Sequence, residues 1–430
     1  MRFADAVADL DARQPEHMPK PDLDRIRAIA ELLDEPQRTY PTIHVTGTNG
    51  KTTTARLVSA LACAHGLVTG LFTSPHLRSV TERIQICGEP LSESEFAEEY
   101  EHLLPVLETI DGRVGRATYF ETLTALGFLW FADKPVQLAV FEVGMGGTWD
   151  ATNLIAGDVA IVCPIGLDHP ELGSTVAEVA TEKAGIIKEG KVAVVREQVP
   201  EALDVLERRS ADVGAVLMLE NRDWDLHARV PAVGGQAIAV QGLHGAYDDL
   251  LLPLFGEFAA QNAAAAIVAT EALLGKALED DAVRETFAAA TSPGRLEVIA
   301  RHPLIVLDGA HNPAAAEALA AALVESFTWE RLHLVIAAFS NKDVGGVIER
   351  LASLTDAAYA AATNSVRARP ASEIAEILES TGVPATSFDD VASALAAARA
   401  EATPADLILV TGSLYTVAAA RDALIGSSPP

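Results

Sequence analysis

Residues 42–53 read Thr-Ile-His-Val-Thr-Gly-Thr-Asn-Gly-Lys-Thr-Thr, an apolar alternation that runs into a glycine-rich turn and then into Lys51-Thr52. A strand, a tight glycine loop and a helix start in this order predict a β–α unit of a parallel sheet. The loop Gly47-Thr48-Asn49-Gly50 would aim several backbone N–H groups at one point, and a helix opening at Thr52 adds favourable partial charge there. Phosphate oxygens are what such a cradle holds. Lys51 would reach the terminal phosphates, and the Thr52 hydroxyl would ligate Mg²⁺. The strict Walker spacing wants glycine at position 45, where Val45 stands, so the match is to the shorter Gly-x-x-Gly-Lys-Thr. The amphipathic run Thr53–His65 supplies the helix that the motif needs.

At 430 residues the chain is too long for one ordinary core, and two domains of unequal size are expected. Strand-like runs at 42–46, 67–72, 137–142 and 158–163 alternate with helical patterns, as in doubly wound parallel sheets. Residues 220–256 break this rhythm with Gly234-Gly235 and short β-like runs, which predicts a small hairpin region before a helix over 261–274. Thr291-Ser292-Pro293-Gly294-Arg295 has linker composition, and a fresh β–α series follows at 304–307, 332–338, 357–361 and 407–410. The division is therefore drawn at 1–293 and 294–430. The ending Gly426-Ser427-Ser428-Pro429-Pro430 is expected to fray.

Composition excludes several function classes. A net charge of −28 argues against nucleic acid or an anionic membrane as partner. No apolar stretch reaches the roughly 20 residues that span a bilayer, and the N-terminus lacks the order of a signal peptide, so a cytoplasmic protein is expected. The three cysteines, Cys63, Cys87 and Cys163, have no metal or redox spacing. Each reads as a buried small hydrophobe in a reducing compartment.

Ligands of open parallel sheets bind outside the carboxyl ends of the strands, and polar residues gather at those ends here. The run to Phe72 ends in Thr73-Ser74-Pro75-His76, and the run to Phe141 ends in Glu142 before Val143-Gly144-Met145-Gly146-Gly147. The run to Cys163 leads to Asp168-His169. A hydroxyl, a carboxylate and an imidazole on one rim can complete the shell of a Mg²⁺ that bridges phosphates. Ser74 reads equally as a turn former. Glu142 is costly to bury without a metal or basic partner. Lys183, in Glu182-Lys183-Ala184-Gly185, reads locally as an exposed helical lysine. In the second half, Asp308-Gly309-Ala310-His311-Asn312-Pro313 forms another rim: Asp308 could accept from a ribose or base, and His311 could meet an anion. Pro313 suits a helix's first residue and Asn312 its cap. The loop Thr411-Gly412-Ser413 is a further anion seat, with Ser413 as a plain cap the alternative.

In this order, His44-Val45-Thr46-Gly47-Thr48-Asn49-Gly50-Lys51, Thr73-Ser74-Pro75-His76-Leu77 with Thr81-Glu82-Arg83-Ile84, and Glu142 through Asp150-Ala151-Thr152-Asn153 form a specific series. Gly166-Leu167-Asp168-His169, Glu182 through Lys188, Pro293-Gly294-Arg295 and Asp308 through Pro313 continue it. Over nearly its whole length the chain resembles the folylpolyglutamate synthase/dihydrofolate synthase family, a branch of the Mur ligase superfamily. The resemblance implies an α/β fold: a P-loop-containing, Mur-ligase-like ATPase domain with a parallel sheet, then a smaller Rossmann-like domain. It implies an ATP-dependent amide ligase that phosphorylates the carboxylate of a pterin-bearing substrate and lets the amine of L-glutamate displace the phosphate.

By the same resemblance, Gly47, Thr48, Asn49, Gly50, Lys51, Thr52 and Thr53 hold the ATP phosphates, while Thr52, Ser74, Glu142 and His169 ligate Mg²⁺. Lys183 matches a lysine carried as a carbamate, which supplies an oxygen ligand to a second Mg²⁺. Lys51, Glu142, His169 and Lys183 form the implied catalytic set. Asn262, Arg295, Asp308 and His311 would contact nucleotide or close the two domains on it, and Ser413 lies in the loop near the incoming glutamate. Partners are small molecules (dihydropteroate or folate, L-glutamate and ATP), and the chain is expected to act as a monomer. Two departures stand out. Thr52-Thr53 replaces the family's frequent Gly-Ser, as in cell-wall Mur ligases, and Thr148-Trp149 replaces an Arg-Leu pair. A Mur-type peptidoglycan ligase and a P-loop ATPase switch are the competing readings.

Overall fold

The structure, a computed structural model, describes residues 1–16 and 22–426, so the expected fraying of 427–430 lies outside it. Eight strands make the first sheet: β1 (Thr42–Thr46), β2 (Thr69–Phe72), β3 (Ile84–Ile86), β4 (Glu89–Pro90), β5 (Leu138–Glu142), β6 (Val159–Val162), β7 (Val192–Val195) and β8 (Val216–Leu219). Their order is β4-β3-β2-β5-β1-β6-β7-β8. The six strands from β2 to β8 in that order run parallel, and the β3–β4 ribbon adds antiparallel to β2. β1 lies between β5 and β6, with Val45 in register with Glu142 and Ile161. The carboxyl ends of β1, β5 and β6 therefore open side by side.

β1 and β5 are buried along their whole length, as expected of inner parallel strands covered on both faces. One face packs into an aromatic-rich cluster that includes Phe72, Phe128, Phe131 and Phe141. Phe141 meets the rings of Phe72, Phe128 and Phe131 at centroid distances of 5.7, 5.4 and 5.7 Å. Each such buried ring contributes roughly 1.5–3 kcal/mol by removal from water. Along the same face, past β1, a second cluster gathers Val143, Val162, Val179, Ala180 and Ile186, since Phe141 and Ala160 are both in register with His44. Helix starts are capped where the sequence places Ser or Thr three residues before Glu. Thr175 accepts from the Glu178 N–H, for example, which opens the helix Val176–Lys183.

The irregular region resolves into three strands, β9 (Asp225–Ala232), β10 (Gly235–Gln241) and β11 (Ala246–Leu252), paired in sequence order. The last sheet contains β12 (Glu297–Arg301), β13 (Leu304–Leu307), β14 (Leu332–Ile336), β15 (Ala357–Ala361), β16 (Ala385–Phe388) and β17 (Leu407–Thr411), in the order β12-β13-β17-β14-β15-β16. It is parallel except for β12, which hairpins onto β13. The chain forms two compact units: residues 1–229, 238–251 and 261–289 in the first, and 230–237, 252–260 and 290 onward in the second. No helix among the described residues is long and apolar enough to cross a membrane.

The cysteines depart from the sequence reading. Cys63 and Cys87 form a disulfide with Cα atoms 5.7 Å apart, and only Cys163 is a buried free thiol. Cys63 lies in the last turn of the helix Lys51–Ala64, and Cys87 sits in the exposed β3–β4 turn, where its N–H donates to the Thr69 carbonyl at 2.9 Å. A separation of 24 residues carries no pairing signal; the pairing exists because the β3 ribbon folds back along β2.

Candidate active site

The phosphate loop takes the form its glycines permit. Gly47 has φ +145°, and a Cβ there would lie 2.5 Å from the Cβ of Cys163. Gly50 has φ +92° and opens the helix Lys51–Ala64. The loop is pinned to the chain beyond β6: the Thr48 N–H donates to Pro164 O at 2.9 Å, and the Thr48 hydroxyl and Gly166 exchange two bonds of 2.9 Å. Beneath it, Thr46 donates to Gly146 O at 2.8 Å, tying the loop to the Gly144–Gly147 turn. Lys51 curls back over the loop, with Nζ donating to Gly47 O at 3.1 Å and Thr48 O at 3.4 Å.

Three of the expected metal ligands lie together. The Thr52 hydroxyl donates to Glu142 Oε1 at 2.8 Å, and the Ser74 N–H donates to Glu142 Oε2 at 3.1 Å. Glu142 is buried at the end of β5. An octahedral Mg²⁺ with bonds of about 2.1 Å has adjacent oxygens about 3 Å apart. The Thr52–Glu142 oxygen pair matches one such edge, and both donors are hard oxygens, so these residues fit the ion.

Lys183 corrects the local reading of an exposed helical lysine: it is 4% exposed. Its Nζ donates to Gly47 O at 2.9 Å, so both lysines of the motifs converge on the same loop carbonyl. Burial pushes its ammonium down to about 7, helped by the positive charge of Lys51 and opposed by Asp168. Lys183, Lys51, Gly47, Thr48, Asp168 and His169 line one cavity. His169 Nε2 lies 3.3 Å from Asp168 Oδ2. Asn49 is half-buried in the loop, and Thr53 is buried in the first turn of the helix.

What places Lys183 is the contact between two sequence motifs. The Thr148 N–H and hydroxyl both donate to Glu182 O at 3.0 Å, and Glu182 Oε1 accepts from the Trp149 N–H at 3.1 Å. Asn153 Nδ2 donates to Thr148 O and Gly185 O, while Lys188 Nζ donates to Asn153 Oδ1 at 2.7 Å. A Cβ on Gly185 would fall 2.2 Å from Thr148 Oγ1, so the two segments meet where only glycine fits. Asp150 holds the turn from beneath, accepting from the Met145 N–H at 2.9 Å, and burial raises its carboxyl to about 6. Thr148 and Trp149 thus make their side of the clamp through backbone groups and a hydroxyl.

Asn262, on the helix Glu257–Leu274, lies over the phosphate loop: its Oδ1 would be 2.7 Å from a Cβ on Gly50. Sequence reasoning missed what holds it there. Arg196, at the end of β7, donates from Nη1 to Asn262 Oδ1 at 2.7 Å and from Nε to Glu220 Oε2 at 2.9 Å. An arginine directly after an apolar run was the available signal.

The second unit gathers its own expected residues. Asp308 accepts from the Leu296 and Ala310 N–H groups at 2.8 Å each, and burial raises its carboxyl against the opposing charge of Arg295. His311 Nδ1 lies 2.9 Å from Gly309 O, and a Cβ on Gly309 would be 3.1 Å from Arg295 Nη1. Asn312 caps the helix Pro313–Ser326. Ser413 caps Leu414–Ile425, accepting from the Thr416 N–H at 3.0 Å, which realises its plain structural alternative.

A phosphate loop on β1, a carboxylate at the end of β5 and two lysines converging on the Gly47 carbonyl, with a second α/β unit after residue 290, define an ATP-dependent ligase of the Mur class. Residues 45–270 match the Mur ligase middle domain, and 294–414 match the Mur ligase glutamate ligase domain. The chain belongs to the folylpolyglutamate synthase/dihydrofolate synthase family of these ligases. It is 42% identical to the dihydrofolate synthase/folylpolyglutamate synthase of Mycobacterium tuberculosis, covering 98% of this chain and 93% of that protein. It is 34% identical to the Escherichia coli enzyme of the same name over 92% and 89%. Among solved structures, it resembles the M. tuberculosis folylpolyglutamate synthase complexed with ADP and AMPPCP, with TM-score 0.94, 40% identity and coverage of 100% and 99%. An E. coli relative in complex with DHPP and ADP gives TM-score 0.87 at 32% identity, over 99% and 98%. The relatives' names favour the folate branch over a peptidoglycan ligase.

Proposed function

We propose that this protein joins L-glutamate to dihydropteroate, to folates, or to both, at the expense of ATP, acting as a cytoplasmic monomer. The observation that carries the reading is the convergence of Lys51 and Lys183 on Gly47 O, beside the Thr52–Glu142 oxygen pair. ATP lies with its phosphates on the N–H groups of residues 47–52, and Lys51 neutralises charge that develops on the transferred phosphoryl group. The substrate carboxylate attacks the γ-phosphorus and releases ADP, giving an acyl phosphate. The glutamate amine then attacks the acyl carbon, and phosphate leaves with the bonding electrons as the amide forms.

Thr52, Glu142, Ser74 and His169 would hold Mg²⁺, which when bound supplies charge neutralisation for the phosphates. Lys183, deep in the site with its amine shifted toward the neutral form, suits reaction with CO₂: a carbamate N–C bond forms and a proton departs. As a carbamate it would give an oxygen ligand to a second ion. Asn262, Arg295, Asp308 and His311 are assigned to the nucleotide, and Ser413 to the glutamate side. The domain division is proposed at 1–293, which carries the phosphate loop, and 294–430, which carries Ser413 for the glutamate side and adds Arg295, Asp308 and His311 to the nucleotide.

The test measures product masses and phosphate release with ATP, Mg²⁺ and glutamate, using dihydropteroate and tetrahydrofolate in turn. Products one glutamate heavier, with phosphate released in step, are expected. Hydrolysis equally fast without either co-substrate, and no heavier product, would sink the ligase reading in favour of an ATPase switch.

A further inference from the structure

Arg196 lies outside every motif of the sequence, yet it is 3% exposed and its guanidinium makes three side-chain contacts. Nε donates to Glu220 Oε2 at 2.9 Å, Nη1 to Asn262 Oδ1 at 2.7 Å and Nη2 to Gln261 Oε1 at 2.5 Å. Its own N–H donates to Val162 O at 3.0 Å, which fixes the residue at the end of β7. Glu220 is anchored too, accepting from the Glu197 N–H at 2.6 Å. The guanidinium is therefore held from behind by strands β6 to β8.

A guanidinium has five donors and no acceptor, so both amides must turn their oxygens toward it. For Asn262 this has a consequence at the phosphate loop. Its amide lies against Gly50, with Oδ1 and Nδ2 at 2.7 and 3.2 Å from where a Cβ would stand. With Oδ1 committed to a buried cation, the amide offers only its NH₂ to a molecule bound at the loop. An unheld asparagine could flip to offer either end or swing to other rotamers away from the loop, and most of those orientations lose the hydrogen bond.

We propose that Arg196 is a positioning residue for the nucleotide: it fixes Asn262 as a hydrogen-bond donor beside the phosphate loop, where an acceptor atom of the bound nucleotide receives it. This rests on the reading of Asn262 as a nucleotide contact. Glu220 supplies the charge that keeps the buried guanidinium in place, and a lysine would not replace it, since one ammonium cannot direct both amides from a fixed fork.

The test is ADP affinity of the full chain by calorimetry, with thermal melts alongside. Removing Arg196 alone would strand Glu220, so the variant is Arg196→Met with Glu220→Gln. It should bind ADP about tenfold more weakly, and so should Asn262→Ala, the loss of one oriented hydrogen bond. The triple variant should match Asn262→Ala within about twofold, because without the amide nothing is left to orient. KM for glutamate should stay unchanged in all three. ADP affinity within about twofold of wild type in the Arg196→Met/Glu220→Gln variant, or losses that multiply in the triple variant, would overturn the proposal. If Asn262→Ala leaves ADP binding intact, the nucleotide role of Asn262 falls and the proposal with it; glutamate transfer by the same variant then shows whether the ligase reading survives. Should the Arg196 variant not fold, a structure of the wild type with ADP decides. Asn262 Nδ2 within about 3.2 Å of a nucleotide acceptor, with Oδ1 still on Arg196, is expected, and Oδ1 facing the nucleotide refutes it.

Discussion

Lys183→Met should make the unliganded protein more stable, and the gain should depend on pH in a way only a buried amine produces. In the folded chain the Lys183 ammonium is pushed down to about 7 from an ordinary 10.5, chiefly by burial. Between those two values the unfolded chain carries a proton on this side chain that the folded chain does not. Wild-type stability therefore rises with pH across that window, by about 1.36 kcal/mol per pH unit. Below about pH 7 both states are protonated, the slope vanishes and the cost of the buried charge is fully present. The methionine thioether fills nearly the same volume and does not titrate; it forfeits the bond to Gly47 O, worth about 1 kcal/mol. From about pH 7.5 to about pH 9.0 the gap between variant and wild type should close by about 2 kcal/mol, or roughly 5 °C in melting midpoint for a unit of this size. Melts in CO₂-free buffer without nucleotide or Mg²⁺, run in parallel for the two proteins, read this directly, since other titrations cancel in the difference. A gap that stays constant across the same window would refute the argument. The same variant should make no glutamate adduct.

Lys51→Ala should lower kcat by about 10²–10³ with the melting midpoint nearly unchanged, because its ammonium serves charge at the loop and not a core; near-normal turnover would remove the phosphate-loop assignment. Glu142→Gln keeps the volume but loses the anion facing Thr52, so the Mg²⁺ concentration for half-maximal activity should rise at least about tenfold; an unchanged Mg²⁺ profile makes Glu142 structural. Gly185→Ala places a Cβ 2.2 Å from Thr148 Oγ1 and 2.6 Å from Thr148 Cα, so it should cost about 1–3 kcal/mol in denaturant titrations and depress turnover. Wild-type stability and activity would show that the clamp on Lys183 is loose. Alkylation of unfolded, unreduced protein should add one carbamidomethyl group per chain, at Cys163, and three after reduction; three in both cases denies the Cys63–Cys87 bond.

The inner strands and the phosphate loop were legible because their signals are local. β1 is a buried alternation with Ile43 and Val45 as its apolar residues, and Gly47, Gly50, Lys51 and Thr52 must be neighbours in sequence to cradle a phosphate. Strands β1, β2, β5 and β6 fall within two residues of the expected runs, and the helix after the loop begins at Lys51. The short pieces were missed: β3 and β4 have three and two residues, too few for a period, and β7, β8, β12 and β16 are runs of only four or five. The resemblance to a ligase family joined Lys183 to the site, since a lysine beside Glu182 on a capped helix has nothing local to mark it as buried.

The sequence alone thus determined the β–α alternation, the phosphate loop and the family, all of which rest on residues close together in the chain. Only the tertiary structure decided that Lys183 joins Lys51 on Gly47 O, that Thr148 closes on Gly185, that Arg196 turns the amide of Asn262, and that Cys63 meets Cys87. These contacts span separations from 24 to 136 positions, brought together by strand order and helix packing. Burial and contact over such separations are properties of the folded sheet, and no local pattern of residue types encodes them.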